Sequence, residues 1–127
     1  MPSPSDCRFT DSHEWFRSED QIVTLGITQF AADELTDLTY VELKPVGTQL
    51  DAGDPVGEVE SVKTTSDVYS VVPGEIIEVN QDAIDDPSLL NTDPFGRGWL
   101  VRIKASDLTP LDGLMDQSTY DEKHPVG

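Results

Sequence analysis

Basic residues are scarce in this chain. Among 127 residues only 8 are Lys or Arg, against 25 Asp or Glu, so the formal net charge is −17. A surface of this sign repels nucleic-acid phosphates and anionic lipid headgroups, which excludes unaided binding to either. Cysteine is almost absent: the single Cys7 rules out an internal disulfide and fits a reducing compartment. The 2 histidines, His13 and His124, are far apart, and neither has a Cys or His at metal-ligand spacing. Long apolar runs are missing too, since nothing approaches the roughly 18–20 residues of a membrane helix. The opening Met1-Pro2-Ser3-Pro4-Ser5-Asp6 lacks the basic and apolar parts of a signal peptide.

What is present suffices for one domain. Hydrophobic residues make up 36% of the chain and charged residues 26%, at the polar end of the globular range. Short apolar runs alternate with turn signals, which predicts an antiparallel, mainly β architecture. His13–Arg17 and Ile22–Gly26 flank the polar Ser18-Glu19-Asp20 as the arms of a hairpin would. Thr28 is placed to cap a short helix carrying Phe30, Ala31 and Leu35. Thr39–Leu43 returns to strand alternation. Val68–Val72 and Ile76–Val79 read as two strands joined by a turn at Pro73-Gly74. Trp99, Val101 and Ile103 show the cleanest period of two. Residues 1–8, rich in Pro and Ser, read as a flexible lead-in, and 9–127 as a single domain. Leu108, Leu111, Leu114 and Met115 predict a helical tail over about 106–127, interrupted by Pro110 and Gly113.

Chemistry concentrates between Gly53 and Val68. The chain has lysine only at Lys44, Lys63, Lys104 and Lys123. Lys63 falls between the expected strands Val56–Ser61 and Asp67–Val72, at the tip of a hairpin. A tip projects a long side chain into solvent, where another enzyme can reach and modify it. A solubilising charge is the plainer alternative, and residue type alone does not decide between them. Other candidates have plain readings. The His13-Glu14 pair reads as strand and surface. Cys7 has only Arg8 as a basic neighbour and no nucleophile role follows. Asp82, Asp85 and Asp86 lack the Gly and terminal Glu of a calcium loop and read as a solvated turn. Trp15 and Trp99 read as core anchors.

The stretch Glu58-Val59-Glu60-Ser61-Val62-Lys63-Thr64-Thr65-Ser66-Asp67 resembles the lipoylation site of the glycine cleavage H-protein family. The resemblance extends through Ser12-His13-Glu14-Trp15, Gly26-Ile27-Thr28-Gln29-Phe30-Ala31 and Tyr40-Val41-Glu42-Leu43. It continues in Gly74-Glu75-Ile76-Ile77-Glu78-Val79-Asn80, Pro87-Ser88-Leu89-Leu90-Asn91 and Pro94-Phe95-Gly96-Arg97-Gly98-Trp99. Matches run from about Phe9 to Lys104. Departures are Thr64 for a usual alanine, Thr36 for a common glycine, Val71 for a common proline, and Lys44 inside a usual Leu-Pro. Glu34 replaces a histidine that some members use near the bound intermediate.

This resemblance implies a lipoyl/biotinyl-carrier-like β-sandwich, the hybrid hammerhead, of two small antiparallel sheets with short helices. It implies lipoic acid attached covalently to Lys63, no catalytic residue, no metal, and a cleft for the loaded arm lined by Ser12, Glu14 and Asp67. The implied role is a non-catalytic shuttle in glycine cleavage. Its partners would be a pyridoxal-phosphate glycine decarboxylase, a tetrahydrofolate-dependent aminomethyltransferase, dihydrolipoyl dehydrogenase and a lipoyl-attaching enzyme. The shuttle would carry the aminomethyl group between the first two and its dihydrolipoyl arm to the third. A monomer in a bacterial or archaeal cytoplasm is expected, rather than one in a mitochondrial matrix. Within the same fold, a lipoate relay protein that donates lipoyl groups to other complexes is the alternative. A biotin carrier is disfavoured because Lys63 lies between Val62 and Thr64 instead of methionines. An unmodified acidic interaction domain completes the alternatives.

Overall fold

Alternating apolar and polar residues build nine short strands in this computed structural model, which describes residues 6–123. In chain order they are β1 (Arg8–Phe9), β2 (Glu14–Glu19), β3 (Ile22–Ile27), β4 (Leu38–Leu43), β5 (Gln49–Leu50), β6 (Pro55–Ser61), β7 (Thr65–Tyr69), β8 (Gly74–Val79) and β9 (Val101–Ala105). The helices are α1 (Gln29–Leu35), α2 (Gln81–Asp85), α3 (Leu89–Thr92) and α4 (Gln117–Lys123), with a 3-10 turn at Thr109–Gly113. One sheet has six strands in the order β1-β2-β3-β9-β8-β5, the other three in the order β4-β6-β7. All pairings are antiparallel. The mainly β architecture of two antiparallel sheets, expected above, is the one observed.

Between the sheets lies one apolar core. Val23, Leu25, Ile76 and Ile103 enter it from the large sheet, and Val41, Val56, Val59 and Val68 from the small one. Alternation produces this directly: in β9 Val101 and Ile103 are fully buried while Lys104 is exposed. A second, aromatic cluster sits at one end of the large sheet, formed by Cys7, Phe9, Trp15 and Tyr120. Trp15 lies directly opposite Gly26 in the β2–β3 pairing, and its indole covers that glycine. A Cβ at Gly26 would come within 2.7 Å of the ring, so the tryptophan's position depends on the missing side chain.

Several expectations need correcting. Pro73-Gly74 does not close a hairpin: β7 pairs in the small sheet and β8 in the large one, so the segment crosses between sheets. Cys7 and Arg8, expected in a flexible lead-in, belong to the fold: Cys7 is buried, and Arg8, with its side chain exposed, begins β1. The Asp82–Asp86 stretch is not a turn but includes helix α2, whose first turn is capped by the Asn80 side chain accepting from the Asp82 N–H. Its acidic residues are solvated all the same, with Asp82, Asp85 and Asp86 exposed. Of the tail, Thr109–Gly113 is a 3-10 turn and Gln117–Lys123 a helix, and Pro110 sits at the start of the 3-10 turn, where its missing N–H costs nothing. Residues 1–5 and 124–127, including His124, lie outside the described residues. Among the described residues no helix is long and apolar enough to cross a membrane.

Candidate functional site

Strands β6 and β7 pair from Pro55↔Tyr69 to Glu60↔Thr65, and the chain reverses through Ser61–Thr64. Serine closes this turn from inside. The Ser61 N–H donates to the Thr64 carbonyl at 2.8 Å. In return the Ser61 hydroxyl accepts from the backbone N–H of Lys63 at 3.1 Å and of Thr64 at 3.0 Å. Short hydroxyl side chains favour turns for this reason, because they offer backbone donors a local acceptor. On the outer flank the Val62 N–H donates to the Asp37 carbonyl at 3.2 Å. Lys63 is exposed, and its Nζ touches the protein through the Glu34 carbonyl at 3.4 Å. Among the described residues no carboxylate lies within ion-pair distance of Lys63. The amine is therefore accessible, while the backbone beneath it is fixed.

Carboxylates dominate the outer face of the small sheet. Glu42 opposes Glu58 across β4 and β6, and Glu58 opposes Asp67 across β6 and β7. Like charges directly opposed weaken a sheet, so this face is not arranged for stability.

A second constellation lies farther along the same hairpin. Glu14 opens β2 and is 2% exposed, which corrects its reading as a surface residue. One carboxylate oxygen accepts from the hydroxyls of Thr10, at 2.5 Å, and Ser12, at 2.6 Å. The other accepts from the Tyr69 N–H at 3.1 Å, so a side chain of the large sheet bonds the edge strand of the small one. A buried carboxylate holding three donors is stable where an unpaired one would not be. His13 permits the geometry by adopting φ 70°, a left-handed conformation that histidine tolerates. Next to it runs an open groove of about 430 Å³, lined by Ser12, Glu14, Tyr69 and Ser70 among others. Asp67 does not line this groove; it lines a separate one with Glu42, Gly57 and Glu58, and the Tyr69 phenol donates to its carboxylate at 3.2 Å. That carboxylate, facing the phenol, raises the Tyr69 pKa. Of the three residues named from sequence, Ser12 and Glu14 line this groove, and Asp67 is linked to them only through Tyr69, whose N–H bonds Glu14 and whose phenol bonds Asp67.

Other groups are committed elsewhere. The Tyr120 phenol lies 2.8 Å from His13 Nδ1 and 2.7 Å from the Thr28 hydroxyl, and its ring stacks on Phe9. Burial pushes its pKa up to about 12. Burial likewise pushes the Cys7 thiol up to about 12, which leaves it protonated and unreactive at neutral pH. Among the described residues no three His, Cys, Asp or Glu side chains group as a metal site would require.

The glycine cleavage H-protein sequence family matches residues 7–125. This chain belongs to that family. It is 48% identical over 119 residues to the glycine cleavage system H protein of Pseudoalteromonas atlantica, covering 93% of this chain and 92% of that protein. With the H protein of Acinetobacter baumannii it shares 44% over 121 residues, covering 95% of this chain and 98% of that one. The crystal structure of a glycine cleavage system H protein from Mycobacterium marinum superposes with a TM-score of 0.89 at 38% identity, covering 98% and 100% of the two chains. Members of the H-protein family are the lipoyl shuttle of the glycine cleavage system, a carrier and not an enzyme, and the chain described here is such a carrier. Two residues that bond Glu14 were not singled out from the sequence by themselves: Thr10 and Tyr69. Only Thr10 was within reach, as a hydroxyl four residues before a carboxylate.

Proposed function

We propose that Lys63 carries the lipoyl group, and that the groove beside Glu14 shelters the loaded arm. The observation that supports this most is the pairing of an exposed amine with a fixed backbone at the tip of the β6–β7 hairpin. In attachment the Lys63 ammonium gives up one proton to become a nucleophilic amine and a second as its nitrogen bonds to an activated carboxyl carbon, whose activating group leaves with the electrons of the broken bond. The lysine charge disappears, and the acidic face becomes one unit more negative. Lipoic acid so bound supplies a ring disulfide that opens to take up a one-carbon amine and closes again on reoxidation. Ser12 and Asp67, both exposed, offer a hydroxyl and a carboxylate to a cationic amine, and Glu14 orients Ser12 from behind.

The partners of this reading are a pyridoxal-phosphate glycine decarboxylase, a tetrahydrofolate-dependent aminomethyltransferase, dihydrolipoyl dehydrogenase and a lipoyl-attaching enzyme. A cytoplasmic setting belongs to the same proposal, and the relatives named above that match by sequence are bacterial. Opposed carboxylates on the small sheet suit brief docking against basic patches, so docking should weaken as salt rises.

The test is intact mass after expression with lipoate, followed by peptide mapping. One lipoyl increment on the peptide containing Lys63 is expected, and none in Lys63→Arg. An increment that survives Lys63→Arg overturns the assignment. Ser12→Ala and Asp67→Asn test the two amine contacts separately: release of amine from the loaded carrier should quicken while loading stays unchanged.

A further inference from the structure

The lysine turn is held from outside as well as from within, and the outer support begins far away in sequence. Val62 leans on the loop that joins α1 to β4, through the Asp37 carbonyl, and Lys63 on the last turn of α1, through the Glu34 carbonyl. That loop is unusual, because Thr36 adopts φ 65°, a left-handed conformation that a β-branched residue disfavours. Something outside the loop must hold it in place. The Asn91 side chain does so: its Nδ2 donates to the Thr36 carbonyl at 2.7 Å, and its Oδ1 accepts from the Leu38 N–H at 3.0 Å. The two bonds clamp the residues on either side of Asp37, the residue whose carbonyl takes the Val62 N–H. Asn91 is itself anchored. It belongs to α3, whose Leu89 and Leu90 are buried, and its own carbonyl accepts from the Gln29 side chain at 3.1 Å.

We infer that Asn91 is a positioning residue for the carrier lysine, acting through the Thr36–Leu38 loop to fix the Val62–Lys63 backbone that a lipoyl-attaching enzyme must recognise. The inference rests on Lys63 as the attachment site. A long lysine on an unsupported turn samples many orientations, and a modifying enzyme then meets the productive one less often. Asn91 touches neither the amine nor the groove, so its effect passes through the loop, with a longer bond from Nδ2 to the Ala32 carbonyl of α1 at 3.5 Å beside it.

The experiment compares Asn91→Ala with Ile76→Val, a core truncation in the large sheet that lowers stability without touching the loop. The first readout uses unmodified protein: hydrogen exchange at the Val62 amide. Exchange there should quicken about tenfold in Asn91→Ala and stay as in the parent in Ile76→Val, since one hydrogen-bonded support is lost in the first alone. The second is the initial rate of loading by a lipoate ligase supplied with ATP and lipoate, followed by intact mass. A fall of between about twofold and tenfold in kcat/KM is expected for Asn91→Ala and no change for Ile76→Val. Equal behaviour of the two variants in both readouts overturns the inference. Lys63→Arg runs alongside, and continued loading of that variant overturns the attachment site instead.

Discussion

The two ends of the β6–β7 hairpin are built by opposite means. At the tip, Ser61–Thr64 is held by backbone and hydroxyl hydrogen bonds in solvent, and Val62 is 71% exposed. At the base, the Tyr69 N–H donates to Glu14, a carboxylate next to Trp15 and the aromatic cluster, where Phe9, Trp15 and Tyr120 are fully buried. Packing at the tip depends on no side chain that must react, so the lysine is free to be altered. Packing at the base depends on nearly every side chain present. If Lys63 is the acylated residue, as proposed, this division lets the reactive group change without a cost to the fold.

The sharpest way to break the comparison is at the base. Trp15→Ala is expected to lower unfolding free energy by about 3–5 kcal/mol, since it empties a cavity facing Gly26. Urea unfolding measures this, and a loss below 1 kcal/mol would show that the cluster collapses freely. Glu14→Gln comes next. The amide keeps the volume but replaces one acceptor oxygen by a donor, so either the Tyr69 N–H loses its acceptor or the Thr10 and Ser12 hydroxyls must give up donating to this side chain. A loss of about 2–3 kcal/mol is expected. An unchanged midpoint would mean that this carboxylate does not tie the sheets together.

Alkaline pH probes the same end. Cys7 and Tyr120 are both held up at about 12 by burial, against ordinary values of 9.0 and 10.0. Below about pH 8 both groups are protonated, folded or unfolded, and their environment costs nothing. Above it the unfolded chain releases protons that the folded one retains, so stability falls as pH climbs toward 12. Tyr120→Phe should flatten the upper part of that decline. At neutral pH the same change should cost only about 1–2 kcal/mol, from the lost bonds to His13 and Thr28. A decline of equal slope in Tyr120→Phe would assign the alkaline loss to other groups.

Legibility in the sequence divides along the same line. The tip could be read because a hairpin is local: alternation on both sides of Lys63 placed it in a turn, and the structure keeps it there. The β2–β3 hairpin was readable for the same reason. Strands β1 and β5 are two residues each, too short for any period to show. Turn chemistry at Pro73-Gly74 says that the chain bends, not whether the flanking strands share a sheet, and here they do not. Glu14 was the hardest. A carboxylate at the start of a strand reads as surface, and one donor that makes its burial tolerable lies 55 residues away at Tyr69. Asn91 braces a loop 55 residues before it, and no pattern near either position announces the link.

The smallest expected change in stability is the most informative. Lys63→Arg keeps the charge and the length of the side chain at an exposed position whose neighbours are bonded through backbone. Its unfolding free energy should stay within about 0.5 kcal/mol of the parent. Lipoyl loading should nevertheless vanish, because a guanidinium stays protonated and does not form the amide. The contrast with Glu14→Gln is then complete: one substitution removes stability, the other removes the carrier function and leaves the fold alone. If Lys63→Arg instead unfolds at clearly lower denaturant, the single contact from Nζ to the Glu34 carbonyl carries more than its 3.4 Å length suggests. The tip would then resemble the base, with the reactive lysine also holding structure. Loading that lysine would in turn shift stability, and the midpoints of the loaded and unloaded carrier would differ.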